Sequence, residues 1–143
     1  MCRMELSLFG RARHALLVSD PDTKCAATAA LNAQWHANTL NLDDDSAVEE
    51  ISSPGRPARP QLVSPRAVPQ RPVNTLAGRA ALIHALAHIE FNAINLALDA
   101  VYRFRGLPPE YYGDWLRVAA EEAYHFQLLR EHLRALGYDY GNF

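Results

Sequence analysis

Residues 76–136 read LAGRAALIHALAHIEFNAINLALDAVYRFRGLPPEYYGDWLRVAAEEAYHFQLLREHLRAL. On both sides of Gly106-Leu107-Pro108-Pro109, apolar residues recur at intervals of three and four, which predicts two amphipathic helices, Leu76 to Phe104 and Pro109 to Leu136. Because a glycine followed by prolines ends a helix and cannot continue it, the two helices should form an antiparallel hairpin. The sequence therefore predicts an all-α fold built around this hairpin.

Three ionisable residues interrupt the apolar stripes of the two predicted helices. Glu90 lies on the stripe of the first helix, whose other members are Ile83, Leu86, Ile94, Ala97 and Val101. Glu122 and His125 lie on the stripe of the second helix, with Trp115, Val118, Leu129 and Leu136. The Glu-x-x-His spacing places both side chains on the same helix face, where they can share one ion.

The helical register brings the two stripes together at the same height. Glu90 precedes Phe104 by 14 residues, and Glu122 follows Pro109 by 13 residues. At about 1.5 Å of rise per residue, the two carboxylates lie about 21 Å and about 20 Å from the turn. One Glu should therefore face a Glu-x-x-His pair across the hairpin.

A carboxylate within an apolar layer costs several kcal/mol unless it is paired or bound to a cation, and neither stripe carries a Lys or Arg. A divalent metal ion would neutralise the charge. Two carboxylates and one imidazole suit iron or manganese better than a structural zinc site, which prefers thiolates and several imidazoles. The alternative without a metal is a buried Glu that is protonated or hydrogen-bonded to Tyr124 or Asn95.

Glu121 and His88 are weaker candidates for the same site. Glu121 lies one turn from His125, so it either bonds to a ligand from outside the coordination sphere or is solvated. His88 and His84 are spaced by four residues and can chelate, and His88 lies at the height of His125. However, His88 is about 200° from Glu90 around the helix, so the two side chains cannot reach one ion. Bonding to backbone or solvent is the simpler interpretation of both histidines.

The pattern of Glu90 and of Glu122 with His125 resembles the ferritin-like superfamily. In that superfamily a di-metal site takes one Glu from each of two helices and a Glu-x-x-His from each of two others. The resemblance implies that Glu90 belongs to a single-Glu helix and that Glu122 and His125, in AAEEAYHFQLLREHL, belong to a Glu-x-x-His helix. It also implies a ferritin-like hairpin that forms half of a four-helix bundle.

More closely, the run GRAALIHALAHIEFNAINLALDAVYRFRGLPPEYYGDWLRVAAEEAYHF resembles an uncharacterised bacterial family of ferritin-like proteins. The resemblance extends from about Pro57 to Phe143, including PARPQLVSPRAVPQRP, and more loosely over the N-terminal helices. Members of that family are about twice as long, and their second half supplies another metal-binding helix pair. The resemblance thus implies a chain that is completed by a missing C-terminal half or by a second copy in a homodimer.

Composition and charge limit the remaining possibilities. The 143 residues fit one domain, 49% of them are hydrophobic, and the net charge of -2 gives no general attraction to nucleic acid or anionic membrane. Cys2 and Cys25 have no metal or redox spacing, which favours the cytoplasm. The N-terminal residues lack a signal-peptide core, and no apolar run approaches a membrane span. We therefore expect a soluble cytoplasmic protein.

The rest of the chain is predicted to form a cap and a connecting segment. Two short helices, Glu5 to Val18 and Asp22 to Asn38, should occupy residues 1–40, with Asp20 and Pro21 as the start signal of the second. Residues 41–75 form a linker, and residues 76–143 the metal-binding hairpin.

Within the linker, residues 54–72, which we call the strap, are rich in Pro and Arg and cannot form a regular helix. They are expected to lie extended across their own domain. Alternatively, four arginines in the strap contact the phosphates of an RNA, which arginines without interleaved aromatics indicate only weakly. These residues are Arg56, Arg59, Arg66 and Arg71.

Three classes of function are compatible with the sequence. The first is an oxidoreductase such as a hydroxylase, in which two carboxylate-bridged irons, or manganese ions, use O₂ or peroxide. The second is iron oxidation and storage with the same ligands. The third is a helical interaction module without metal or catalysis, or an inactive truncated fragment.

Overall fold

The computed structural model describes residues 7–44 and 46–143, and the regular secondary structure within these residues is helical, with no β-strand. The four α-helices are α1 (Leu8–Leu17), α2 (Pro21–His36), α3 (Leu76–Arg103) and α4 (Pro109–Ala135). One short 3-10 turn, Pro65–Ala67, lies within the strap. The prediction of an all-α fold is confirmed.

The helix boundaries agree with the prediction to within a few residues. The long helices α3 and α4 each end one residue before the predicted position, and the predicted start of α1 at Glu5 lies outside the described residues. α2 ends at His36 rather than at Asn38, because Asn38 has a positive φ of 56° and so leaves the right-handed helical region.

α1 and α2 begin with the same capping device. The Ser7 hydroxyl accepts the backbone N–H of Gly10, and the Asp20 carboxylate accepts that of Thr23. Pro21 follows as the first residue of α2, a position where its missing N–H has no helical partner to lose. Only residues 18–20 separate the two helices, so they form a tight corner.

The turn between α3 and α4 is fixed by two tyrosines at the start of α4. The Tyr112 hydroxyl donates to the Phe104 carbonyl at 2.9 Å and accepts the Leu107 N–H at 3.3 Å. Tyr111 donates to the carbonyl of Ala100 at 2.9 Å. These bonds satisfy backbone groups that the end of α3 leaves free, and they hold the two long helices antiparallel.

The two N-terminal helices cover one side of the α3–α4 hairpin. α1 packs on α3, α2 packs on α4, and α1 also contacts α2. The fully buried large side chains at this junction come from all four helices: Leu8, Leu16, Leu31, Phe91, Ile94, Leu98, Leu116 and Phe126. Burial of each contributes about 1.5–3 kcal/mol, so this junction is the core of the domain.

The strap and the C-terminal segment close the structure on another side. The Gly55 N–H donates to the carbonyl of Leu16 at 2.8 Å, which ties the start of the strap to the end of α1. Further along, the Arg71 guanidinium lies 5.0 Å from the centre of the Phe143 ring. The predicted extended strap is confirmed as an irregular segment, and residues 61–76 are exposed.

Part of α3 is left uncovered by the described residues. Leu82, Leu86, Ile89 and Leu96 are between 44% and 64% exposed. Their spacing places them on one side of the helix, which we call the apolar flank of α3. A run of large apolar side chains at such exposure is typical of a surface that binds another protein segment.

α3 is also long and apolar enough, by length and composition alone, to cross a membrane, with a mean hydropathy of 1.3 over its most apolar window. The expectation that no segment approaches a membrane span is therefore wrong for this helix. Core helices of soluble domains pass the same test, and α3 contributes Phe91, Ile94 and Leu98 to the core. The length of α3 is thus weak evidence for a membrane location.

Candidate metal centre

The structure brings Glu90, Glu122 and His125 together across the hairpin. One ligand atom from each residue can be chosen so that all three lie within 4.8 Å of one another. His125 Nδ1 is 3.8 Å from Glu90 Oε2 and 3.6 Å from Glu122 Oε2. The register argument therefore placed these residues at the correct height and on facing sides of α3 and α4.

The separations are compatible with one shared cation. Adjacent ligands of a six-coordinate ion with bonds of about 2.1 Å lie about 3 Å apart, and opposite ligands lie about 4.2 Å apart. The observed separations of 3.6 and 3.8 Å fall between these values. A shared ion also requires the Glu90 and Glu122 oxygens, which lie within 4.8 Å of each other, to be no more than about 4.2 Å apart. The donor set of two carboxylates and one imidazole suits iron or manganese, and it leaves positions that this cluster does not fill.

The three side chains are less buried than the sequence led us to expect. The Glu90 and Glu122 side chains are 24% and 23% exposed, and that of His125 is 50% exposed. The expectation of a carboxylate enclosed in an apolar layer is therefore wrong for the described chain. The reason is that α1 and α2 pack on the other side of the hairpin, so Glu90 lies at the boundary between the core and the apolar flank of α3.

Partial exposure also permits an arrangement without a metal. A protonated His125 would lie within 4 Å of both carboxylates and could pair with each of them. Exposed ion pairs contribute about 0–1 kcal/mol, so such a pairing would do little for stability.

The weaker candidates lie outside this cluster. Glu121 is exposed to solvent and is not among the three grouped residues. His88 Nδ1 is 2.8 Å from the Tyr140 hydroxyl, and burial lowers the pKa of its imidazole. His84 accepts the Gly141 N–H at 3.0 Å, and burial, followed by the charge of His88, lowers its pKa to about 4. Both histidines therefore contact the C-terminal segment. The bond of His84 to a backbone N–H agrees with the simpler interpretation of the sequence, whereas the bond of His88 to the Tyr140 side chain was not predicted.

The hydrogen-bond partners proposed for a buried Glu are engaged elsewhere or exposed. Asn95 accepts a bond from the Lys24 ammonium at 2.7 Å, and its amide nitrogen lies 3.5 Å from the Gly55 carbonyl oxygen. Tyr124 is 60% exposed. The His125 ring lies within 4 Å of both carboxylates. A bound metal ion and a protonated His125 are therefore the two explanations to compare for this group of side chains.

Two buried residues with polar groups, Lys24 and Tyr140, were not predicted from the sequence. Lys24 is fully buried, although its spacing with Thr28 and Leu31 on α2 places all three on one helix face and could have indicated this. Tyr140 is also buried, and it stacks on His84 and Phe91. No periodic pattern surrounds Tyr140, so the sequence contained no comparable signal for it.

The four arginines of the strap lie in different environments. Arg71 lies over the Phe143 ring, and Arg59 lies beside Gly141. The Nε of Arg56 is buried. Arg59, Arg66 and Arg71 are exposed, and Arg56 is half-buried. The expectation of an RNA partner stays a prediction.

Comparison with known proteins gives a family without an assigned activity. A protein of Haemophilus influenzae, described as an uncharacterized protein, is 44% identical in an alignment of 139 positions that covers 90% of this chain and 48% of that protein. The chain thus spans about half the length of the curated relative it matches. No solved structure matches it.

The match to a family model extends over most of the chain and includes α2, the strap, α3 and α4. It covers residues 17–143, so Glu90, Glu122 and His125 all lie inside the matched region. The resemblance to an uncharacterised family is therefore confirmed, and the chain belongs to the family described as protein of unknown function (DUF455).

Proposed function

We propose that Glu90, Glu122 and His125 bind iron, or manganese, as half of a di-metal carboxylate centre of the ferritin-like type. In this proposal the protein is an oxidoreductase that uses O₂ or peroxide, for example a hydroxylase. The observation that carries the proposal is the convergence of three ligand atoms within 4.8 Å from two different helices. Iron oxidation and storage would use the same three ligands.

Each residue would have a defined part in holding the metal. Glu90 on α3 and Glu122 on α4 supply carboxylate oxygens from opposite sides, and His125 supplies one nitrogen. The metal would supply the binding and reduction of oxygen, which amino-acid side chains do not perform. The half-exposed side of the cluster, at His125, leaves room for further ligands.

A complete di-metal centre would need a second set of ligands. Two features favour an additional helical element at this place. The apolar flank of α3 is exposed beside Glu90, and the Haemophilus relative is about twice the length that the chain matches. A second copy related by two-fold symmetry, or a C-terminal half, could bring another Glu and another Glu-x-x-His to the site. We favour the homodimer for this chain.

The proposal can be tested by measuring metal bound per chain after anaerobic incubation with Fe(II) and removal of the excess. We expect Glu122→Gln to weaken binding by at least about tenfold, because the amide brings no charge to the ion. Glu121→Gln is the matched control, since it changes the neighbouring exposed residue and should keep the wild-type metal content. Equal metal content in both variants would place the metal elsewhere.

A helical interaction module without a metal is the second candidate. It is favoured by the 50% exposure of the His125 side chain and by its position between the two carboxylates, which a protonated imidazole satisfies without an ion. Wild-type protein that binds neither Fe(II) nor Mn(II) above the level of Glu122→Gln would support this candidate against the first.

A further inference from the structure

A cavity of about 250 Å³ lies on the side of α3 opposite the candidate metal centre. Its α3 wall includes Asn92, Asp99 and Arg103, and Arg56 of the strap forms another wall. At about 100° per residue, Asn92 and Asp99 lie roughly 160–180° from Glu90 around the helix. The cavity is therefore separate from the Glu90, Glu122 and His125 cluster.

Two buried polar atoms of cavity-lining residues have no hydrogen-bond partner among residues 7–44 and 46–143. They are Nε of Arg56, a donor, and Oδ1 of Asn92, an acceptor. Leaving such a group unpaired costs about 1–3 kcal/mol, and more when the group is charged. Because both residues line one cavity, a single bound molecule with an acceptor and a donor could satisfy both atoms.

The charges around the cavity favour an anion. Arg103 is paired with Asp99 at 3.1 Å, whereas no carboxylate is paired with Arg56 in the described part of the chain. Behind the cavity, the buried ammonium group of Lys24 donates a hydrogen bond to the side-chain oxygen of Asn95, another residue that lines the cavity. Burial and the charge of Arg56 lower the pKa of Lys24 to about 8, so most of its positive charge remains at neutral pH. Two cationic groups thus lack a counter-anion here.

The remaining wall is apolar. It is formed by Leu16 at the end of α1, by Ile51 and Pro54, and by Leu96 on α3. A bare inorganic anion would leave this wall without contacts, whereas a molecule with a short hydrocarbon tail would cover it.

We propose that this cavity binds a small organic carboxylate that has a short branched hydrocarbon tail and a hydroxyl on the carbon next to the carboxylate. The carboxylate accepts from the Arg56 guanidinium, the hydroxyl donates to Asn92 Oδ1, and the tail lies against Leu16 and Leu96. Nothing in this assignment depends on the metal proposal.

The test uses the full chain labelled with ¹⁵N and treated with a chelator, so that its outcome is independent of metal binding. The Arg56 Nε–H signal is followed by NMR during titration with 2-hydroxy-3-methylbutanoate. We expect a saturable shift, and binding of inorganic phosphate at least about tenfold weaker. The neutral amide of the same compound should produce no saturable shift, because it lacks the charge that Arg56 recognises.

Two variants separate the site from general effects of charge. Arg56→Gln removes the cation, and Leu96→Glu places a carboxylate at the cavity wall on a residue that is 64% exposed, where the fold tolerates the change. Both should abolish the saturable response, which in these variants is read from the backbone amide of Asn92. Arg66→Gln, an exposed change in the same strap, should retain it.

Three results would overturn the assignment. They are the absence of a saturable shift in the wild type, equal binding of the amide or of phosphate, and unchanged binding in both Arg56→Gln and Leu96→Glu. Any one of them would show that the cavity contains solvent or binds ions without selection.

Discussion

Lys24 is the only lysine in the chain, and its ammonium group is fully buried. It donates to the carbonyls of Ala15 and Leu16 at 3.0 and 2.7 Å and to the Asn95 side chain at 2.7 Å. All three acceptors are neutral, so the charge is hydrogen-bonded but not paired. Burial is the main reason that the pKa of Lys24 falls to about 8.

We expect the amine of Lys24 to titrate near pH 8 in the folded protein. The unfolded chain keeps the ordinary value of about 10.4, so it binds more protons between these two values, and stability should rise as the pH is raised through that window. With ¹³Cε-labelled lysine, one NMR signal reports the folded-state pKa directly. A midpoint near about 10.4 would show that the amine is solvated and would contradict this environment.

At the residue scale, periodicity predicted which side chains of the hairpin converge but not how far they are buried. Helical rise and rotation are constant, so the height and direction of Glu90 and Glu122 could be calculated from their distances to the turn. Burial depends on which other elements pack nearby, and the positions of α1 and α2 relative to the hairpin were not encoded in either stripe. The exposure of His125 was therefore not predictable.

At the scale of elements, the strap contacts the end of α1 closely at one residue, Gly55. A Cβ atom on Gly55 would lie 2.3 Å from the Val18 carbonyl oxygen and 2.4 Å from that of Leu17. Both are backbone atoms, which cannot move as a flexible side chain would. Gly55 therefore sets the distance between the strap and the α1–α2 corner.

We expect Gly55→Ala to destabilise the protein by about 2–3 kcal/mol, because the strap must move away from α1 and weaken the Gly55 to Leu16 hydrogen bond. Gly106→Ala is the matched control. It has open space around the added Cβ but a positive φ of 72°, so its cost should be only about 1 kcal/mol. Urea unfolding of both variants measures the difference. If Gly55→Ala lowers the free energy of unfolding by no more than Gly106→Ala does, the strap and the end of α1 have room for the added Cβ atom, which would contradict the close contact at Gly55.

The elements themselves were largely predictable, and their contacts were less so. The proline-rich composition excluded an α-helix in residues 54–72, and the Asp20-Pro21 signal located the start of α2. The docking of Tyr140 against His84 involves an aperiodic C-terminal segment, for which the spacing of residues gives no direction. Tertiary packing alone determines that contact.

At the scale of the whole molecule, the apolar flank of α3 is the surface on which a partner chain would pack in an oligomer. Ile89 is 59% exposed and lies next to Glu90 in the sequence, so a partner that covers it would also reach the candidate metal centre. Leu82 and Leu86 continue the same exposed surface toward the start of α3. Covering them would remove further apolar area from water, which favours association.

We expect Ile89→Glu to prevent dimerisation while changing the stability of the single chain by less than about 0.5 kcal/mol, because the residue is exposed in the monomer. Ala29→Glu adds the same charge at an exposed position of α2 and should leave the dimer intact. Light scattering after size-exclusion chromatography gives the mass of each variant. A wild-type protein that is monomeric at every concentration would exclude the homodimer.

The most direct test of the account is anomalous diffraction from crystals grown anaerobically with Fe(II). We predict an anomalous peak within about 2.0–2.2 Å of one ligand atom from each of Glu90, Glu122 and His125. Crystals that show no peak among these three residues, with His125 lying between the two carboxylates, would contradict the metal centre.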